Sequence, residues 1–422
     1  MKNREMPATN SKSKPDKGKI AEELLASFLS NKVFAHYVYL NPFSKPGKEL
    51  CDVLIVFRNR AIVLQVKNTS LGKDKLYKSG DIKKNVSQCR GAARVLLTGA
   101  RPLELTNYAG LVDPVDLSEI NTVYCIAVHH GEQPEFYGFY DSDKAQPVHI
   151  IDYESFQKLL GELSVLPELF NYLDDKQALF SDDKSFILTG GEQDLFASWI
   201  RQERSFKQYA DSNMVTITEG IYEGLLKDKQ YQTKKREDAK YGDAWEKLIL
   251  TCMSLGPSYK MVSDEFVDHN SLERRMLGRA LQEFLGHAIT NKRPTMRFTH
   301  YQLTPEDKPE KLYIMLFHGA EDVPGIRESR KKALQIIATI FLKKYASRFP
   351  TLKTIVGIAT DSVFTPTSPF EFMYAEVGPE WVKKIQANSE LDDVAKQLNV
   401  LQGDLRRFQA HEYSETVEIK NT

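Results

Sequence analysis

Residues 50–67 constrain this chain more than any other segment. Two apolar runs, 50–57 and 61–67, flank the polar tripeptide Arg58-Asn59-Arg60, the pattern of a β-hairpin. The first run carries a carboxylate, Asp52, and the second ends in Gln65-Val66-Lys67. An ionised carboxylate inside an apolar strand is costly unless something compensates it. An ammonium group and a second oxygen donor on the next strand, with a divalent cation between them, supply that compensation. Strand side chains alternate, so Gln65 and Lys67 share a face. A four-residue loop over 58–61 pairs Phe57 with Ile62 and sets Asp52 opposite Lys67, with all three residues on one side. An odd-numbered loop turns Asp52 the other way.

Upstream, residues 19–29 carry Ile20, Ala21, Leu24, Leu25, Phe28 and Leu29 at helical spacing. Glu22 falls at the rim of that apolar arc, where a carboxylate can reach inward, and Glu23 lies on the solvent side. Charge is uneven along the chain. Overall there are 57 basic and 57 acidic residues, so no global field draws in a polyanion. Residues 41–101 nevertheless hold 13 Lys and Arg against 4 Asp and Glu, a balance of +9, whereas 102–180 hold 3 against 14, a balance of −11. A basic stretch around the hairpin suits contact with a phosphate backbone. Each piece also has a plain structural use. A strand Asp caps an edge or a bulge, a Gln-x-Lys is a half-exposed strand, and a lysine run is a solvated face.

Gly18, then Glu22 on a helix, then Asp52, twelve intervening residues and Gln65-Val66-Lys67 together resemble the PD-(D/E)XK nuclease superfamily. Gln in place of the usual Glu or Asp is similar to its Mrr-like and NERD-like branches. The resemblance lies within the first hundred residues and extends to about residue 180. It implies an α/β fold over 17–180, a central mixed sheet flanked by helices. It implies Mg²⁺, with Mn²⁺ as a substitute, held by Asp52, Gln65, the Val66 carbonyl and Glu22, since hard cations prefer oxygen ligands. Lys67 then orients the attacking water or stabilises charge on the phosphate. The implied activity is hydrolysis of DNA phosphodiester bonds, double-stranded DNA being favoured, in restriction, repair or anti-phage defence beside a protein partner. Lys73, Lys75, Lys84, Gln88 and Arg90 are the nucleic-acid contacts expected from the basic stretch, Gln88 or Lys84 from the helix after the hairpin. Gln65 removes one formal negative charge from the ligand set. Two alternatives therefore stand: a nuclease-like module that binds nucleic acid or protein without cutting, and an RNA-directed nuclease.

Length and composition bound the rest. A chain of 422 residues exceeds what one core usually supports. Cys51, Cys89, Cys125 and Cys252 form no CxxC pair, which argues against a zinc ribbon or disulfide scaffold, and the nine histidines show no metal-finger spacing. His129-His130 reads as a structural pair at a strand end. No apolar run approaches membrane length and residues 1–16 are polar, so a cytoplasmic protein without membrane contact is expected. Strands are expected over 121–129, 135–140 and 148–152, helices over 82–97 and 153–163, and a domain boundary at 174–184. A second α/β domain over 185–422 is expected from helices at 245–253, 272–284 and 328–345. Its strands are expected at 295–303, 311–318 and 353–359. Arg274, Arg275 and Arg279 are either phosphate contacts or solvated. A terminal helix over 391–408 closes its domain or joins a homo-oligomer.

Overall fold

The computed structural model describes residues 33–45, 47–99, 102–132, 134, 137–142, 146–181, 184–291, 295–301, 310–317, 326–360, 370–397, 407–409 and 417–419. They form two compact units, one running to Ser164 and resuming over Leu169–Tyr222, the other comprising Val165–Glu168 and Glu223 onward.

The first unit is α/β, a central mixed sheet flanked by helices. Its strands are β1 (Val38–Leu40), β2 (Val53–Phe57), β3 (Arg60–Thr69), β4 (Thr122–Gly131), β5 (Tyr140–Asp141) and β6 (Val148–Asp152). They lie in the order β1-β2-β3-β4-β6-β5, with β3, β4 and β6 parallel and the outer pairings antiparallel. Helix α1 (Ser79–Thr98) joins the β3 side of the sheet to β4, because Val86, Cys89, Ala93 and Leu96 recur at helical spacing and are buried. They pack on Ala61 and Val63 of β3, Val123, Cys125 and Ala127 of β4, and Val148 and Ile150 of β6. Each such side chain taken out of water contributes about 1.5–3 kcal/mol for the larger residues. This core fixes the register of the parallel strands, since a one-residue slip would expose it.

Of the boundary expected at 174–184, residues 174–181 belong instead to a helix, α3 (Leu166–Ser181), and the first unit runs on to Tyr222. The helix's charged residues are contacts, not a linker. Asp174 accepts hydrogen bonds from Arg60 and from the Tyr124 hydroxyl (2.5 Å), and Asp175 accepts one from Trp199 Nε1 at 2.7 Å. Lys176 is fully buried against Glu192 of the next helix, α4 (Glu192–Arg201), at 2.6 Å. The unit closes with β7 (Ser185–Leu188) paired parallel to β8 (Met214–Ile217).

The second unit carries helices α5 (Lys229–Ser254), α6 (Lys260–Val267) and α7 (Ser271–Asn291). Its sheet runs β9 (Thr295–Tyr301), β10 (Glu310–Phe317), β11 (Leu352–Thr360), β12 (Phe370–Glu376), with β10 and β11 parallel. Helix α8 (Ile326–Tyr345) links them and buries Leu334, Ile337, Phe341 and Leu342 in their core. Arg274 and Arg275 are neither phosphate contacts nor solvated. Both are buried, Arg274 donating to the Val267 and His269 carbonyls and Arg275 pairing with Asp238. The terminal helix is shorter than 391–408. It spans Glu390–Gln397, and Arg407–Gln409 is a strand paired with Val417–Ile419.

Candidate functional site

The hairpin turns over two residues, not four. Arg58 takes a left-handed backbone (φ 54°), and Phe57 pairs with Arg60, Ile55 with Ile62, and Val53 with Leu64. The register therefore differs by two residues from that expected. Continued one step, it brings Asp52 level with Gln65, not Lys67. Strand alternation also ends here. Asp52 sits in a bend, and Cys51 occupies the α1-side core. The Asp52 carboxylate turns along the end of the ladder, where its Oδ2 accepts the Val66 N–H at 2.6 Å. A charge-assisted bond of this kind is worth about 1.5–3 kcal/mol, and it compensates the carboxylate the sequence left exposed to penalty. Asp52 thus lies level with Gln65, and its carboxylate meets the backbone of the residue between Gln65 and Lys67.

In a strand, one residue's N–H and C=O turn toward the same neighbour. The Val66 carbonyl thus faces the same edge as the Asp52 carboxylate, beyond the last rung at Val53. Gln65, 8% exposed, lies on the α1 side one residue away. A carboxylate, a carbonyl and an amide oxygen form a donor set suited to a hard divalent cation. Among the described residues no group of three or more His, Cys, Asp or Glu side chains is placed to hold a metal ion. Glu22, the expected fourth ligand, lies outside the described residues, as does the helix expected over 19–29.

Lys67 also projects to the α1 side. Its ammonium, with the side chain 15% exposed, meets Asp81 Oδ1 at 3.1 Å and the Asp81 carbonyl at 3.3 Å in the first turn of α1. Its register partner on β4 is His129, whose own partner on β6 is Asp152. These residues occupy the carboxyl ends of the three parallel strands, the usual place for ligands on such sheets. Gly131 keeps those ends close. It has φ 126°, and a Cβ there would lie 2.3 Å from the Thr69 carbonyl.

Asp152 is already occupied. It caps helix α2 (Tyr153–Glu162) through the Ser155 N–H at 2.8 Å and accepts the Tyr137 hydroxyl at 2.7 Å. His129 is not. It is fully buried and neither ring nitrogen has a hydrogen-bond partner. Burial and the neighbouring Lys67 ammonium pull its pKa down to about 4, with Asp81 opposing, so the ring is neutral at pH 7. The Tyr77 ring covers it at 5.2 Å between centroids.

The expected nucleic-acid contacts divide among three places. Lys73 and Lys75 are exposed on the 71–77 loop, which follows the carboxyl end of β3 and is closed by the Leu71–Tyr77 bridge. Lys84 and Gln88 are exposed on α1, on the flank that Asp81 turns toward Lys67: at 100° per residue they stand about 60° and 20° from it. Arg90 stands about 180° from Asp81. It pairs with Asp141 and donates to the Gln146 carbonyl at 2.9 Å, and with Lys83, Ser87 and Arg94 it lines a groove of about 300 Å³ on the opposite flank. The structure therefore separates Arg90 from the residues around Lys67.

Sequence reading took His129 as structural and passed over Asp81 and Tyr77. One signal was present. Val123, Cys125 and Ala127 alternate as a buried face, and His129 is the next residue in that series. No family model, no curated protein and no solved structure matches this chain. Among the described residues no helix is long and apolar enough to cross a membrane.

Proposed function

We propose that this chain is a metal-dependent phosphodiesterase acting on DNA, working at the carboxyl ends of β3, β4 and β6. The observation that carries the reading is the meeting of Asp52 with Val66, between Gln65 and Lys67, at 2.6 Å. It sets a carboxylate at the strand end that also carries Gln65 and Lys67. Asp52, the Val66 carbonyl and Gln65 would hold the ion, Glu22 joining them. Mg²⁺ bound there supplies charge neutralisation at the phosphate and a water of lowered pKa. Lys67 places positive charge beside the phosphate, its stem held by the strand and its head by Asp81. Lys84 and Gln88 contact the backbone on the same side, and Lys73 and Lys75 approach from the loop. Such contacts position a duplex without reading its sequence. A cytoplasmic protein of restriction, repair or defence, with a protein partner or a second copy, fits this activity.

One observation favours the non-cutting module instead. Asp52 and Lys67 already have partners, Val66 N–H and Asp81, so the site is self-satisfied without an ion. Incubating the full chain with plasmid DNA and Mg²⁺ or Mn²⁺, beside Lys67→Ala, separates the two. Cleavage that depends on the metal and is lost in Lys67→Ala is expected. Equal cleavage by both proteins would exclude this site, and salt-sensitive binding without cleavage would favour the module; RNA cut in preference to DNA would move the substrate.

A further inference from the structure

We propose that His129 is a substrate-contacting residue of this site, its imidazole donating a hydrogen bond to a phosphate oxygen held beside Lys67 once Tyr77 lifts from the ring. The inference rests on the reading of the site as a phosphodiester centre and adds a residue to it.

The first ground is that the fold does not use this imidazole. Both nitrogens are buried without a partner, and orphan polar atoms in native interiors ask for a ligand, an ion or a water. An apolar side chain would fill the position at less cost, as Cys125 and Ala127 do four and two residues earlier on the same face. The second ground is placement. His129 is level with Lys67 across the β3–β4 pair, on the side where Lys67 meets Asp81. A phosphate oxygen drawn to that ammonium comes to the neighbouring ring. The neutral ring has one N–H to donate and one nitrogen to accept, which suits an anion's oxygen and a water together.

The third ground is the cover. Tyr77 lies over the ring from the end of a loop whose backbone bonds back on itself: Gly72 N–H to the Leu76 carbonyl at 2.8 Å, Lys75 N–H to the Gly72 carbonyl at 3.1 Å. The same loop exposes Lys73, Lys75 and Lys78 to solvent. A polyanion that engages those lysines pulls on the segment that hides His129, so contact with substrate and uncovering of the ring are one event.

The test uses the full chain as wild type, Lys67→Ala, His129→Leu and His129→Gln. Binding to a fluorescent DNA duplex is read by anisotropy with Ca²⁺ in place of Mg²⁺, cleavage is read with Mg²⁺, and each protein's thermal midpoint is measured. Reactivity of His129 toward diethylpyrocarbonate is compared between wild type and Tyr77→Ala. His129→Leu is expected to melt no lower than wild type yet bind about tenfold more weakly, the loss of one hydrogen bond to a charged group. His129→Gln recovers part of the affinity, and His129 reacts only when Tyr77 is removed. Binding and cleavage by His129→Leu within about twofold of wild type, while Lys67→Ala loses both, overturns the role of His129 and leaves the site reading standing. A lower melting point for both His129 variants with parallel loss of binding makes the residue structural and also overturns it. No duplex binding by wild type, or none sensitive to Lys67, overturns the site reading and this inference together.

Discussion

Among the three fully buried histidines, His129 of the first unit and His269 of the second are treated differently by their surroundings. His269 in the second unit is fully buried, and both ring nitrogens are used: Nδ1 lies 3.1 Å from Glu273 Oε2 and Nε2 lies 2.5 Å from the Tyr313 hydroxyl. Nearby Lys311 meets Glu265 at 2.5 Å, and Trp245 donates to the Phe266 carbonyl. That network is closed, and its histidine is explained by packing. His129 in the first unit is equally buried and has no such partners, and its neighbours Lys67 and Asp81 are both partly open to solvent. A fold that satisfies one histidine completely shows that it can do so. His129 differs in that neither of its two ring nitrogens is engaged, whereas His149 keeps one contact, from Gln177 to its Nε2 at 3.3 Å.

Four experiments break or sharpen this contrast. The largest effect is expected from Asp52→Asn, which keeps an oxygen to accept the Val66 N–H but removes the charge a cation needs. Metal-dependent cleavage should fall about 10²–10³-fold, in the range for losing one preorganised electrostatic group. Metal-free stability measured by urea unfolding should move by less than about 1 kcal/mol. A large metal-free loss would make Asp52 a structural cap alone.

Next comes His269→Leu, which removes the imidazole that Glu273 and the Tyr313 hydroxyl both contact in the interior. A loss of about 3 kcal/mol is expected from urea unfolding. The matching change His129→Leu strands nothing and should cost less than about 1 kcal/mol. Equal losses would erase the distinction between the two residues.

Acid gives a third, smaller contrast. His129 has a folded pKa of about 4 and His269 of about 3, both through burial first, against 6.5 for an exposed histidine. Unfolded chains then bind the proton more readily. Each histidine's contribution to stability is whole above pH 6.5 and is lost as pH falls toward its folded value. For His129 the loss between pH 7 and 5 is about 2 kcal/mol. His129→Leu should therefore flatten the fall in unfolding free energy over that interval by about this amount. An unchanged pH slope would contradict a neutral, buried ring.

The smallest effect is expected on α1. Lys84→Ala should weaken duplex binding a few-fold and reduce the salt slope by about 1, the release of one counterion. Arg90→Ala, on the other flank, should leave the slope unchanged if Arg90 stays engaged with Asp141. Equal slopes for the two variants would move the nucleic-acid path to both sides of the helix.

Much of this was legible beforehand for a physical reason. The strand expected over 121–129 and the helix expected over 82–97 were found as Thr122–Gly131 and Ser79–Thr98, because a β-branched and aromatic apolar run and a 3.6-residue apolar spacing are local signals of burial. Gln65 and Lys67 on a common face followed from alternation alone. The hairpin register did not. Its two-residue turn places Arg58 at positive φ without the Asn-Gly signature that usually announces such turns, and the guanidinium lies over the Phe57 ring at 5.5 Å. Nor did the bend at Asp52 announce itself, since a bend leaves no period to detect. The boundary near 180 misled because acidic residues on a helix look like a linker until their partners, Arg60, Tyr124 and Trp199, are known. His129 escaped for the same reason. Being level with Lys67 is a property of strands joined through some fifty residues, which no local pattern records.

The most direct test of the central claim is a crystal of the full chain soaked in Mn²⁺, read by anomalous scattering. Density bonded to the Asp52 carboxylate and the Val66 carbonyl, with Lys67 alongside, is the predicted result. Asp52 still seated on the Val66 N–H with no ion beside it, at a Mn²⁺ level that occupies other sites in the same crystal, would contradict the account.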